Sequence, residues 1–450
     1  MDRSKQLGEK GIPQLLFAFS LPAIAGMLAQ AAYYIVDRIF VGQALGAVGL
    51  AGMTVSFPFM LVLLAFGMLI GLGGTALVSL RLGEQRQDEA EQVLGNAAVL
   101  MAGVSLVVSV SGLLFLDPLL RLFGASETVL PLAHDYSQIM VLGAVFQIAG
   151  FGLNAMIRGE GNPKIAMLTM LIGVGLNVIL APLFIFVFRW GMRGAATATL
   201  LAQAVSVAWV VAYFLSGQSL LRFHLKNLRL QRPVCMAILS IGAPPCCIQL
   251  AASVVNSLMN HQLRIHGGDL AISVMGVIYA VAMLIAMPIF GINQGTQPII
   301  GYNYGAQKFD RVRQTLQLAM LVASGIACSG FLAAMLLPSQ LISLFTNDPA
   351  LIELGTHAMR ICLLMLPIIG FQVVGASYFQ AVGRPQVALL LLLSRQVLLL
   401  IPAVLVLPHF LGLDGVWAAM PTADFGSLML TGGCLLYELR QLGRREGKLV

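Results

Sequence analysis

The chain has 450 residues, of which 58% are hydrophobic and 10% charged, and a formal net charge of +7; its mean hydropathy is +0.89. Soluble domains carry roughly 25% charged residues, so this composition excludes a soluble fold and points to an all-α integral membrane protein. A hydrocarbon core of ~30 Å asks for about 20 apolar residues per spanning helix, and the sequence supplies twelve such runs.

The predicted helices cover residues 12–38, 49–80, 93–116, 132–157, 163–188, 194–216, 234–262, 270–300, 314–337, 351–380, 386–408 and 413–438. The charged start MDRSKQLGEK precedes an apolar run that resembles a signal peptide. The run continues through Tyr33, Tyr34 and Asp37 without a small-residue cleavage site, so it reads as a retained first helix. There Gln30, Tyr34 and Asp37 follow an i, i+4, i+7 pattern on one stripe. A carboxylate in a partly dry site suits a group that gains and loses a proton during a cycle, and Asp37 is the first candidate for that role. A local cap paired with Arg38 is the plainer alternative.

Amides recur further along: Gln147 and Asn154 in the fourth helix, Asn177 in the fifth, Gln203 in the sixth, Gln249, Asn256 and Asn260 in the seventh, and Asn293, Gln294 and Gln297 in the eighth. Most such groups bond helix to helix. Met27, Asn154, Gln249, Asn256 and Gln294 are candidates for lining a substrate cavity, and the 22 methionines suit a soft surface that repacks around varied ligands. Arg395 in the eleventh helix and Asp424 in the twelfth both fall near mid-membrane at 1.5 Å per residue, and are expected to pair across adjacent helices, as a structural bond or as a contact used in coupling or substrate binding. The six cysteines sit in apolar runs without metal-ligand spacing, so neither a disulfide framework nor a metal site is expected.

With the N-terminus inside, 19 of the 26 Lys and Arg fall in cytoplasmic segments and six outside, Arg395 being the remaining one. Both termini are therefore expected on the cytoplasmic side, and the net positive charge reflects this bias rather than nucleic-acid binding.

The second half repeats the first at a shift of 222 residues. Pro22 maps onto Pro244; Gly83, Gln85 and Asp88 onto Gly305, Gln307 and Asp310; Gly161 and Pro163 onto Gly383 and Pro385. Six helices per repeat is an even number, so both copies enter the membrane from the same side, which makes them parallel repeats about an axis along the membrane normal. The expected organisation is an amino-terminal six-helix lobe at 1–220, a basic cytoplasmic linker at 221–233 and a carboxy-terminal six-helix lobe at 234–450. Transporters built this way bind substrate between their halves and alternate access by rocking. A channel would need a filter or pore ring, and none is legible. Nucleotide loops, metalloprotease motifs and nucleophile–base pairs are likewise missing from the sequence, so no enzyme chemistry and no cofactor is expected, and transport would draw on an ion gradient.

The segments SLPAIAGMLAQAAYYIVDRIFVGQALG, RGEGNPKIA, GLNVILAPLFIF, GINQGTQPIIGYNYGA and SRQVLLLIP resemble the multidrug and toxic compound extrusion (MATE) transporters, in their bacterial DinF/MepA-like branch. The resemblance covers nearly the whole chain. It implies a twelve-helix, two-lobed exporter of the bacterial inner membrane that exchanges protons or Na⁺ for amphiphilic, often cationic, small molecules and can work as a monomer. By position it implies that Asp37 is the ion-coupling carboxylate, with Gln30, Asn177 and Thr199 around it. One departure stands out: Ala181 occupies the place of a second acid. The acids that the Na⁺-coupled branch carries in its seventh and tenth helices also have no match here, which favours proton coupling. A lipid-linked saccharide flippase of the same superfold is the alternative; it would want a cationic cavity, and Arg395 is the main inward-facing basic residue.

Overall fold

In a hydrocarbon solvent every backbone N–H and C=O must be paired within its own segment, and the chain meets this demand with helices throughout. The computed structural model describes residues 3–123, 125, 127–345 and 348–446, all helix and connecting turn. The long helices are α1 (Ile12–Gly46), α2 (Val48–Gly83), α3 (Gln87–Leu114), α4 (Leu130–Leu142 with Ala144–Gly159), α5 (Pro163–Val187), α6 (Gly191–Leu215), α7 (Arg232–Gly268), α8 (Leu270–Gly305), α9 (Phe309–Leu336), α10 (Pro349–Cys362 with Leu366–Ala381), α11 (Pro385–Leu411) and α12 (Leu413–Glu446). Among the described residues nine are long and apolar enough to cross a membrane, or eleven when each half of the bent helices α4 and α10 is joined, at 54° and 47°. This differs from the twelve expected: α12 has the length, at 34 residues, but Asp424, Pro421 and several glycines dilute its apolar character.

The loops expected after the first and seventh helices are nearly absent. α1 runs into α2, and α7 into α8, with a break at one residue each, Gly46 (φ 63°, ψ −155°) and Gly268 (φ 66°, ψ −161°). That backbone region is open in practice only to glycine, which is why a single residue can end one helix and begin the next.

The 222-residue repeat is carried by the backbone. α3 and α9 begin at Gln87 and Phe309 and end at Leu114 and Leu336; the second halves of α4 and α10 span Ala144–Gly159 and Leu366–Ala381. Positive φ recurs at Gln85 and Gln307 and at Gly161 and Gly383. The repeat breaks in α5 and α11: the wider π-helical winding lies at Leu183–Val187 in the first and at Ser394–Leu400 in the second.

The chain divides into two compact units, one of Met1–Glu9 with Ala25–Cys246, the other of Lys10–Ile24 with Cys247–Val450. The amino-terminal ends of α1 and α7 thus belong to the opposite unit from the remainder of each helix. In the first unit the start of α7 lies backbone-to-backbone on α2: a Cβ on Gly242 would overlap the Leu69 carbonyl oxygen, and one on Gly73 would overlap that of Ile238. In the second unit the start of α1 lies on α8, where a Cβ on Gly295 would come 2.8 Å from the Ser20 nitrogen. Small residues at such crossings let helices approach closely where no hydrophobic force separates protein from lipid.

The segment between α6 and α7 is strapped to α3. Asn96, fully buried, donates to the Asn227 carbonyl (3.2 Å) and accepts from the Gln231 N–H (2.7 Å), Gln87 donates to the Leu220 carbonyl (2.7 Å), and His224 lies 3.1 Å from Glu91. Apolar side chains on the outer face of α3, Leu106, Val107 and Leu114 among them, are two-thirds or more exposed. The bilayer is the solvent that this surface requires.

Candidate functional site

In the first unit α1 presents one stripe to α5 and α6. Tyr33, Asp37 and Val41 lie at intervals of four residues, so they stack on one face. One turn before Asp37, the Tyr33 hydroxyl lies 3.0 Å from Thr199 Oγ1, which also accepts from Asn177 Nδ2 at 3.0 Å. One turn after it, Val41 packs in an apolar cluster with Ala181, Phe184, Met140, Tyr136 and Ala195. Asn177 and Ala181 are themselves one turn apart on α5. Asp37 is thereby bracketed between a polar cluster and an apolar one.

Asp37 is 2% exposed, and its Oδ1 has no hydrogen-bond partner among the described residues. Among the described residues no ion pair within 4.0 Å joins it to the neighbouring Arg38, which is exposed. An acid so placed, flanked by neutral donors, can hold a proton, and a charge there has no counter-ion in contact among the described residues. Ala181 is fully buried and packs in the same apolar cluster as Val41.

Tyr33 makes a bond to Thr199; the side chain of Tyr34, expected at the site, lies outside the described residues. Gln30 is half-buried and forms no hydrogen bond to this cluster among the described residues. Of the five residues expected to line a substrate cavity, Met27, Gln249 and Gln294 are half-buried and Asn256 is exposed. Asn154 differs. It is buried; its amide donates to the Ala166 carbonyl (2.8 Å), which braces α4 against α5, and its oxygen accepts from Arg158 one turn along α4 (2.5 Å).

In the second unit Arg395 Nε donates to Asp424 Oδ1 at 2.5 Å. Arg395 lies ten residues from the start of α11 and Asp424 eleven from that of α12, each about 15 Å along its helix. Gln372 of α10 donates to the Asp424 backbone carbonyl. Removing one partner strands the other, so Arg395→Met is expected to lower stability by about 3 kcal/mol. The double change Arg395→Met/Asp424→Leu should recover most of that loss, read as the melting temperature in detergent; equal loss in both would mean that the charges contribute nothing beyond packing.

Two further acids are buried near helix ends, Glu160 just past α4 and Glu438 in the last part of α12. Glu160, between α4 and α5, is 1% exposed and accepts from the Tyr213 and Ser219 hydroxyls and from the N–H groups of Leu220 (3.1 Å) and Leu221 (3.4 Å). Burial pushes its carboxyl up from the ordinary glutamate range, against the pull of those donors. Glu438 accepts from Arg384 and from Tyr378 (3.4 Å). The sequence reading passed over Glu160 and Tyr33; the i, i+4 spacing of Tyr33 to Asp37 was the available signal for the second.

A family model described as MatE matches the chain twice, over residues 22–183 and 245–405. The multidrug export protein MepA of Staphylococcus haemolyticus (strain JCSC1435) is 27% identical over 413 residues, 92% of this chain and 91% of its own. The protein of the same name from Staphylococcus aureus (strain MRSA252) is 26% identical over 403 residues, 89% of each chain. Among solved structures, a ligand complex of the MATE multidrug transporter DinF-BH is 40% identical with a TM-score of 0.90, covering 97% of both chains. The outward-facing conformation of a multidrug resistance MATE family transporter of the MOP superfamily is 25% identical with a TM-score of 0.91, covering 98% of both. The doubled match falls on the two copies of the 222-residue repeat, and the solved folds superimpose on nearly all of the chain. This protein, a multi-pass membrane protein and not an enzyme, belongs to the MatE family of transporters.

Proposed function

We propose that the protein is a secondary active multidrug exporter that exchanges protons for amphiphilic, cationic compounds by alternating access, with Asp37 as the coupling group. The observation that carries this reading is the setting of Asp37: 2% exposed, one oxygen unpartnered, one turn from the Tyr33–Thr199–Asn177 cluster and one turn from the apolar packing around Ala181. Deprotonation leaves a charge that a dry site cannot hold cheaply, so the two protonation states favour different arrangements of the helices around it. Export of multiple drugs is supported by the names of the MepA relatives and of the DinF-BH structure.

The working unit in this reading is a monomer with twelve spans, α12 being the twelfth, in two six-helix lobes joined by the linker at 221–233. Both termini lie on the cytoplasmic side of the bacterial inner membrane, following the Lys and Arg bias. Proton coupling is preferred to Na⁺ because the site holds one carboxylate and Ala181 stands where a second would complete an oxygen shell for a hard cation.

The test is dye accumulation in proteoliposomes under a single imposed gradient. An imposed proton gradient alone is expected to drive a fluorescent cation uphill, and a Na⁺ gradient alone to leave it at equilibrium. Uphill movement with Na⁺ alone would overturn the proton assignment.

A further inference from the structure

We propose that the second unit holds a subsite for an anionic oxygen, built on the Arg395 guanidinium, that receives the carboxylate of acidic or zwitterionic amphiphiles; the amphiphilic character of the ligand rests on the transport reading above. The ion pair is lopsided. The Asp424 side chain is 4% exposed and is held through one oxygen by Arg395 Nε, whereas the Arg395 side chain is 29% exposed. Among the described residues neither Nη of Arg395 makes a hydrogen bond. An arginine anchored by Nε has its fork fixed, with its two Nη groups presenting parallel donors, the geometry that matches a planar carboxylate.

Arg395 lies about 15 Å along α11 from its start, at mid-membrane depth. Its exposed part therefore opens to the protein interior, since a guanidinium at this depth against lipid is costly. Trp417, buried, lies seven residues before Asp424, about 10 Å along the same stripe of α12. Tyr279 of α8 stands by Arg395, and it packs with Trp417 and Leu399 in one apolar cluster. The two Nη donors of Arg395 beside an aromatic and aliphatic wall suit a ligand that brings both an apolar body and its own acceptor.

The winding of α11 marks the same place. The π-helical segment Ser394–Leu400 begins one residue before Arg395, while its counterpart in the repeat, 172–178, is regular α-helix within Pro163–Pro182. The repeat position of Arg395 is Gly173, and that of Asp424, past the one-residue slip that pairs Gly191 with Gly412, is Gln203, so the charged pair belongs to one half only. Wide turns of this kind recur at functional positions, where they re-aim a side chain. A lipid phosphate would sit at the interface, about 15 Å from this depth, which leaves a carboxylate on a membrane-soluble body as the ligand chemistry.

Two rhodamine dyes that share one cationic ring system, one carrying an ethyl ester and the other the free carboxylic acid, isolate the carboxylate. Their Kd values would be measured by fluorescence anisotropy on the detergent-solubilised full chain, for the native sequence, Arg395→Lys and Arg395→Met/Asp424→Leu, the last leaving no stranded charge. The double variant is expected to raise the acid-to-ester Kd ratio about tenfold. Arg395→Lys, which keeps the charge and loses the fork, should raise it about threefold, and carries the test if the double variant does not fold. A ratio within twofold of the native one overturns the subsite. Transport of the same dyes separates the two readings: a native chain that binds the acid through Arg395 yet moves neither dye keeps the subsite and removes the antiport, whereas one that moves both with a ratio indifferent to Arg395 removes the subsite alone.

Discussion

Replacing Asp37 by asparagine is expected to reduce proton-driven dye accumulation to the level of protein-free vesicles, while dye binding in detergent persists. Asparagine keeps the size of the side chain and its fit between the Tyr33–Thr199–Asn177 cluster and the Val41–Ala181 packing. It cannot exchange a proton, so the cycle loses its link to the gradient while the fold keeps its contacts. The size of the native effect also follows. One pH unit is worth about 1.4 kcal/mol per proton, and one carboxylate carries one proton per turn, so a singly charged cation should accumulate about tenfold per pH unit. Exchange of one proton for one monovalent cation moves no net charge, and the ratio should be indifferent to membrane potential. Accumulation near a hundredfold per pH unit would mean that a second group titrates with Asp37. An active Asp37→Asn chain would mean that coupling lies at another residue altogether.

The parts of this structure that were legible in the sequence are those where backbone geometry restricts the residue. The repeat was read from Gly83, Gln85, Gly161 and Pro163 and their partners 222 residues on, and these flank the turns whose φ is positive, at Gln85, Gln307, Gly161 and Gly383. A helix of 3.6 residues per turn accepts i+3 and i+4 alike, so Tyr33 was not separable from its neighbours in the sequence, and its partner Thr199 is 166 residues away. Glu160 was hidden for the same reason: its partners Tyr213 and Ser219 are 53 and 59 residues distant and reach it only through the fold of the first unit. The bend in α4 falls at Gly143, with no proline at the break to announce it. Arg395 and Asp424 were findable because a charge in an apolar run is conspicuous, but the lopsided exposure of the pair needed coordinates.

Gly242→Val is expected to have the largest effect on folding, leaving little monodisperse protein on size exclusion in detergent. A Cβ at this position overlaps the Leu69 carbonyl oxygen and lies 3.0 Å from the Leu69 Cα, so the obstacle is backbone on a rigid helix and cannot turn aside. Gly73 faces the same crossing from the other side, against the Ile238 carbonyl, so the two helices meet with no side chain between them along that line. Separating them to admit a valine opens α2 from α7 over the whole contact, a cost above the roughly 1–3 kcal/mol of ordinary overpacking. Gly103 of α3 and Gly325 of α9 supply the contrast: nothing lies within 4 Å of a Cβ at either. Alanine there should leave the melting temperature unchanged or raise it, by up to about 1 kcal/mol of helix propensity. Were Gly242→Val to fold as well as Gly103→Ala, α7 would not lie against α2 as described, and the assignment of Arg232–Cys246 to the first unit would fall with it.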